Sequence, residues 1–299
     1  MRWSWLLPFL LVVPGIAMTL SASEEDLTIS WPAQLVQPGS VVLVIVTCRE
    51  SPGRVVASAL GKDVVFYPDP GGKTWRGLVG VDVESRPGQY ALIVRAIREG
   101  LPPLAVTHEF RVAPKRFPTR RLRVAPRYAN PPESEFERIR HESERLGAIF
   151  QSVTPHRWDG PFLMPVGDYP TSSFGARSIF NGQSRNPHAG VDFMSQQGTP
   201  VRAPNAGQIV LAENLFFTGN TVIVDHGLGL YSLLAHLSRI DVTPGQAIES
   251  GATLGLVGAT GRVTGPHLHW AVRLNEARVD PISLIAAFET PAATGRGRR

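Results

Sequence analysis

Cysteine is almost absent from this 299-residue sequence, with Cys48 the single example. One thiol excludes an intramolecular disulfide framework and any zinc site built on several thiolates, so a metal would have to be held by His, Asp or Glu. Lysine is nearly as scarce: Lys62, Lys73 and Lys115 are the whole complement, and the net charge of +5 is carried by arginine. No Lys/Arg block of the kind that marks a nucleic-acid binder is present, so no nucleic-acid partner is expected. Charge is low at 18% against 43% hydrophobic residues, a balance that supports packed cores rather than disorder. What the chain has in excess is Gly (29) and Pro (26), well above the ~12% combined of average usage. Many turns and short strands follow, and a helical bundle is disfavoured. At ~150 residues per domain, the length suggests two domains.

The N-terminus reads as a targeting segment over residues 1–23. Arg2 supplies a positive start, Trp5 to Val13 an apolar stretch, and Leu20-Ser21-Ala22 a small-residue cleavage context. The uncharged run from Trp3 to Ser23 is also just long enough to span a bilayer, so an uncleaved membrane anchor is the competing reading. Pro8, Pro14 and Gly15 favour a cleaved signal. Either reading exports the protein to a periplasmic or extracellular location. Cys48 closes the run Val41 to Thr47, too far on for lipid attachment, and reads as a small buried hydrophobe.

Residues 24–113 show short β-rich runs separated by turn signals such as Gln37-Pro38-Gly39-Ser40, Asp69-Pro70-Gly71-Gly72 and Arg86-Pro87-Gly88-Gln89. This spacing suggests a small immunoglobulin-like β-sandwich without catalytic chemistry, acting as a spacer or binding module. Residues 114–160 form a basic, Pro-punctuated connector, read as solvated, and then a helix. Glu133, Glu135 and Glu137 suit the helix N-terminus, and Phe136, Ile139, Leu146, Ile149 and Phe150 fall on one face. Residues 161–290 turn β-rich again, with Gly-rich loops, and 291–299 read as a disordered tail.

Five of the eight histidines lie in that last β-rich stretch: His188, His226, His236, His267 and His269. His267-Leu268-His269 opens a strand-like run. Period 2 puts both imidazoles on one face while Leu268 and Trp270 point into a core. Two imidazoles side by side on an apolar strand are costly to desolvate unless something uses them. Upstream, His188 and Asp192 offer an imidazole and a carboxylate four residues apart. A His, Asp, His set plus a water suits a tetrahedral catalytic zinc with one open position, and such a zinc lowers the pKa of its water to near 7.

The flanking sequences carry a resemblance. Phe174-Gly175-Ala176-Arg177, Asn181-Gly182, His188 to Asp192, Gly198-Thr199-Pro200-Val201, Asn220 to Gly227, Ala235-His236-Leu237-Ser238 and Gly261 to Trp270 are in order and correctly spaced. Over about residues 162–285 the chain resembles the lysostaphin-type (LytM-like) zinc metallopeptidases, which cut peptidoglycan peptides. The resemblance implies that His188, Asp192 and His269 bind zinc. It implies that His267 and His236 are the catalytic imidazoles, one activating water and the other stabilising the tetrahedral intermediate. It also implies a mainly β fold, with an antiparallel barrel-sandwich-hybrid peptidase domain behind the small sandwich and linking helix.

Weaker candidates remain. Arg177 is a receiver for a substrate carboxylate or half of a structural ion pair, and Asn181 could point at metal or substrate. His226 reads as structural. Asp225 beside it lacks a Gly-x-Ser-x-Gly elbow, which disfavours a serine mechanism. The expected function is an exported zinc endopeptidase acting on peptidoglycan stem peptides or cross-links. The alternative is a non-catalytic scaffold or activator of other cell-wall hydrolases. With every implied ligand and both imidazoles present, the enzyme is favoured.

Overall fold

The computed structural model describes residues 26–122, 131–171, 174–180, 183–184 and 186–289. The expected signal segment, Arg123 and Arg127 of the connector, Asn181 and the C-terminal tail lie outside the described residues. Among those described, no helix is long and apolar enough to cross a membrane.

The first part of the chain forms strands β1 (Leu27–Ser30), β2 (Val41–Cys48), β3 (Arg54–Ala59), β4 (Lys62–Pro68), β5 (Thr74–Gly80), β6 (Gly88–Ile97) and β7 (Leu104–Val112). They make one seven-stranded path in the order β1-β2-β5-β4-β3-β6-β7. The path folds over at β4, whose first residues pair with β3 and whose Phe66 to Pro68 pair with β5. The two halves, β1-β2-β5-β4 and β3-β6-β7, are those of an immunoglobulin constant-type sandwich. Alternation explains the core: Val42, Val44, Val46 and Cys48 of β2 point inward to meet Val55, Leu92, Val94 and Ala96 of the other half. Cys48 is the buried hydrophobe expected of it.

Arg116 and Arg121 of the connector are exposed, yet the segment carries regular structure. Its residues Thr119–Leu122 form β8, which lies parallel to β9 (Arg177–Phe180), and β9 pairs in turn with β10 (Gln183–Ser184). After a short 3-10 turn comes helix α1 (Phe136–Gln151).

The remaining elements are β11 (Gly190–Phe193), β12 (Pro200–Arg202), β13 (Gly207–Leu215), β14 (Gly219–Gly227), β15 (Leu230–Ile240), β16 (Ala247–Ile248), β17 (Thr253–Val257), β18 (Leu268–Leu274), β19 (Ala277–Val279) and α2 (Pro281–Glu289). They build a nine-stranded antiparallel sheet with the path β11-β18-β15-β14-β13-β16, β12 and β17 joining through β15. Strand β15 is long enough to serve two partners: its first half pairs with β18 and its second with β17. That bend curls the sheet into a nearly closed barrel.

Both faces of β14 are buried, which accounts for its unbroken apolar run. Val222 and Val224 face the barrel core with Trp270 and Leu234, while Ile223 lies with Leu211, Tyr231, Leu233 and Ala271 under Leu146, Ile149 and Phe150 of α1. The expected apolar face of α1 is thus used from its middle onward. Phe136 is an exception, at 53% exposed. The first turns of the helix are held by polar contacts instead: Arg138 donates to the Asn214 carbonyl, and Glu142 accepts the Phe216 N–H.

The sandwich docks on the β18–β19–α2 end of the barrel. Arg278 grips Asp82 through Nη2 (2.7 Å) and Nε (3.0 Å), and its backbone N–H donates to the same carboxylate. The Val41 N–H donates to Ser283 Oγ, Asp280 N–H to the Gly39 carbonyl, and Val41, Leu78 and Val83 join the barrel core. Burial raises the Asp82 carboxyl, but the Arg278 hydrogen bonds override it and hold the group below its ordinary value.

Inside the barrel, His226 is fully buried. Its Nδ1–H donates to the Ala206 carbonyl (2.8 Å), and its Nε2 accepts from Ser232 Oγ (2.9 Å), which itself accepts from Trp270 Nε1. This is the structural histidine that the sequence suggested. Burial pushes its pKa down to about 4.

Two stability predictions follow from these contacts. Arg278→Met leaves Asp82 partly buried without its guanidinium, and urea unfolding at pH 7 is expected to show a loss of about 2 kcal/mol, the scale of charged hydrogen bonds. His226 takes up its proton in the unfolded chain near pH 6.5 but in the folded chain only near 4. The His226 contribution to stability is therefore complete above pH 6.5 and falls by about 3 kcal/mol as pH drops towards 4. Unfolding free energies measured across this window should fall more steeply in the wild type than in His226→Gln, the difference being the His226 share; the other buried imidazoles keep a residual slope in both.

Candidate metal centre

Strand pairing builds the centre. β11 runs antiparallel to β18 with Asp192 directly opposite His269, and Ala235 of β15 flanks His269 on the other side. Because Val191, Phe193, Leu268 and Trp270 fill the core, the alternate residues Asp192 and His269 share the opposite face. Gly190 makes room for them: a Cβ there would sit 2.8 Å from His269 Cε1.

His188 arrives from the segment ahead of β11. Its Nε2 lies 3.1 Å from Asp192 Oδ1 and 3.1 Å from His269 Nδ1, and His269 Nδ1 is 2.8 Å from the same Asp192 oxygen. Three donor atoms thus converge on one point, and each residue is partly exposed. Burial alone raises the Asp192 carboxyl, but hydrogen bonds from His188 and His269 hold it well below the usual carboxylate range. Burial lowers His269, with Asp192 pulling the other way.

The two other imidazoles stand beside this trio. His267 precedes β18, bridged to Gly258, and its Nε2 is 4.0 Å from Asp192 Oδ1. Its Nδ1–H donates to the Gly265 carbonyl (2.9 Å), leaving Nε2 as the acceptor facing the centre. His236 occupies the bend in β15, where the backbone takes φ +65 and the register shifts. A non-glycine residue in the left-handed region costs ~1–3 kcal/mol and marks a position held by its surroundings. Here the holding contacts are His236 N–H to the Thr218 carbonyl and Nδ1–H to the Thr260 carbonyl, both 2.9 Å. The His236 and His267 rings are 4.8 Å apart between centroids. Burial, then the nearby His269, drives the His236 pKa down to about 3.

All five residues singled out from the sequence therefore meet at one place. Among the described residues, Arg177 does not contact them. It is exposed at the start of β9, one residue beyond Ala176, whose carbonyl accepts the His188 N–H. Sequence reading missed two supporting residues. Thr260 aligns His236 through its carbonyl while its hydroxyl donates to the Leu237 carbonyl, and Thr171 donates from N–H and hydroxyl to the Asp192 carbonyl. Nothing in their local sequence signals contacts that span 24 and 21 residues.

Comparison with known proteins assigns the family. The model for peptidase family M23 matches residues 186–281, from just before His188 through β19. A solved M23 protein from Pseudomonas aeruginosa is 36% identical, with a TM-score of 0.66, covering 85% of this chain and 96% of that one. The chain belongs to peptidase family M23. Among curated relatives, the DD-carboxypeptidase/endopeptidase Mpg of Neisseria meningitidis is 42% identical over 107 residues, which is 36% of this chain and 24% of that protein. The peptidoglycan DD-endopeptidase ShyA of Vibrio cholerae is 45% identical over 84 residues, 28% of this chain and 20% of that protein. The matched part spans about a quarter or less of these relatives' length.

The M23 site carries a prediction of its own. In metal-free protein the His236 ring should stay neutral from pH 8 to pH 5 and titrate only near 3. Histidine side-chain NMR across that range checks it, and a midpoint near 6.5 would show that the ring is not buried as described.

Proposed function

We propose that this M23 chain is an exported zinc-dependent endopeptidase that hydrolyses peptide bonds in peptidoglycan stem peptides or cross-links. The observation that carries the reading is the convergence of His188 Nε2, Asp192 Oδ1 and His269 Nδ1, with two further imidazoles held alongside. Zinc bonds of ~2.0–2.2 Å at tetrahedral angles put neighbouring donors ~3.3–3.6 Å apart. The 2.8–3.1 Å spacings here are close to that, and two imidazoles with one carboxylate are a suitable catalytic donor set. When bound, zinc supplies a Lewis acid for the scissile carbonyl and acidifies the attacking water.

The chain's own residues do the rest. His267 presents an unprotonated Nε2 toward the centre and takes the proton from the attacking water, then returns it to the leaving amine. His236, with Nδ1–H committed to Thr260, takes up a proton from solvent at Nε2 as the oxyanion develops, donates it in a hydrogen bond to that oxygen, and releases it to solvent when the tetrahedral species collapses. The negative charge of that oxyanion favours the uptake. Arg177 and Asn181 are candidates for substrate contact. The relatives named for peptidoglycan peptide cleavage support this substrate class, and peptidoglycan lies outside the cytoplasmic membrane, which supports export through the 1–23 segment, cleaved or retained as an anchor.

Digestion of purified muropeptides with and without a chelator, read by mass spectrometry beside elemental zinc analysis, tests the proposal. His269→Ala should lose both zinc and activity. His267→Ala should keep zinc and lose ~10²–10⁴-fold in turnover, and His236→Ala should keep zinc and lose ~10²–10³-fold. Cleavage that survives complete zinc removal would overturn the metal reading. Zinc-loaded wild type that cleaves nothing would favour the scaffold or activator role instead.

A further inference from the structure

Two of the three donor residues owe their placement to sheet register, since Asp192 and His269 are cross-strand partners. His188 does not. It lies ahead of β11 and its backbone is clamped by a different segment: the Gly175 N–H donates to the His188 carbonyl (2.8 Å), and the His188 N–H donates to the Ala176 carbonyl (2.9 Å). The placement of His188 therefore depends on what holds residues 174–176.

That support comes from the N-terminal half of the chain. Phe174 is buried in the same hydrophobic core as Val41, Leu78 and Val83 of the sandwich. Its ring packs against the turn before β2, so close that a Cβ on Gly39 would stand 2.6 Å from Phe174 Cε1. Gly39 is itself pinned, with φ +94, its N–H on the Val81 carbonyl and its carbonyl accepting the Asp280 N–H. On the other side the connector closes in. The Phe117 ring covers Gly175 without space for a side chain there, and meets Phe174 edge to face at 6.3 Å. The Pro118 carbonyl then accepts the Arg177 N–H, and β8 continues alongside β9. Residues 174–180 are thus caught between the metal centre and the sandwich with its connector.

We propose that the sandwich and connector form part of the metal centre's support, and that Phe174 and Phe117 are positioning residues for His188. This rests on the reading of His188, Asp192 and His269 as zinc ligands. It gives the N-terminal sandwich a role beyond that of a spacer or wall-binding module: its Gly39 turn and the Phe117 strap set the reach of one ligand. Outer contacts that orient a metal ligand change affinity by ~10–100-fold when lost.

The test uses the full chain and measures zinc affinity by competition with a chromogenic chelator, with thermal melting of metal-free protein to confirm folding. Phe174→Leu and Phe117→Leu are each expected to weaken zinc binding by ~10-fold or more, while Phe117→Tyr, which keeps the ring, retains it. Phe66→Leu, a change of the same kind in the separate sandwich core, should lower the melting temperature and leave zinc affinity unchanged. Wild-type zinc affinity in both folded leucine variants would overturn the proposal, as would an equal loss in Phe66→Leu. If His269→Ala bound zinc as tightly as wild type, the ligand assignment itself would fail, whatever the phenylalanine variants did.

Discussion

The antiparallel register of β11 on β18 is the constraint on which the site depends. It sets Asp192 opposite His269, and because side chains alternate, a slip of β11 by one residue would bury Asp192 and turn Val191 outward beside His269, which β15 holds in place. Burying Trp270, Leu268 and Phe193 in the barrel core thus fixes the direction of the two polar donors at no separate cost. The hydrophobic effect acting on one face of two short strands produces the polar geometry of the other.

The bend in β15 is the second determinant. A strand that pairs with β18 over its first half and β17 over its second must turn between them, and His236 sits at the turn. The strained backbone there is stabilised by contacts from the β13–β14 hairpin and the Thr260 loop. The same curvature that nearly closes the barrel brings His236 to within 4.8 Å of His267. Curvature, hairpin and loop are consequences of different stretches of chain, so a change in any of them reaches the site.

The outer parts of the molecule are less separate from this centre than their sequence suggests. Helix α1 covers the same sheet face that carries His269 farther along, since Ala271 lies beneath it. The sandwich is tied on through Arg278 and Asp82, a partly buried charge pair whose worth lies in its several hydrogen bonds rather than in bare attraction. The interface also shares a hydrophobic core with the barrel, through Val41, Leu78 and Val83.

By itself the sequence determined what depends on local period and residue type. One cysteine removed thiolate chemistry; alternation around Leu268 and Trp270 put the His267 and His269 imidazoles on one side; turn residues at short intervals announced strands; and the spaced motifs supplied the family. Only the tertiary structure decided what depends on chain segments far apart meeting. It brought His236 beside His267 through a bend that period-2 patterning cannot express, and it recruited Thr260 and Thr171 through backbone and hydroxyl contacts to which any residue sequence is nearly blind. It also turned part of a basic connector into strand β8, because a parallel partner was waiting in β9. Phe136 shows the limit most plainly: the helical pattern assigned it to the apolar face, but burial requires an apolar surface to meet, and the cluster beneath α1 takes in Leu146, Ile149 and Phe150 while Phe136 stays exposed.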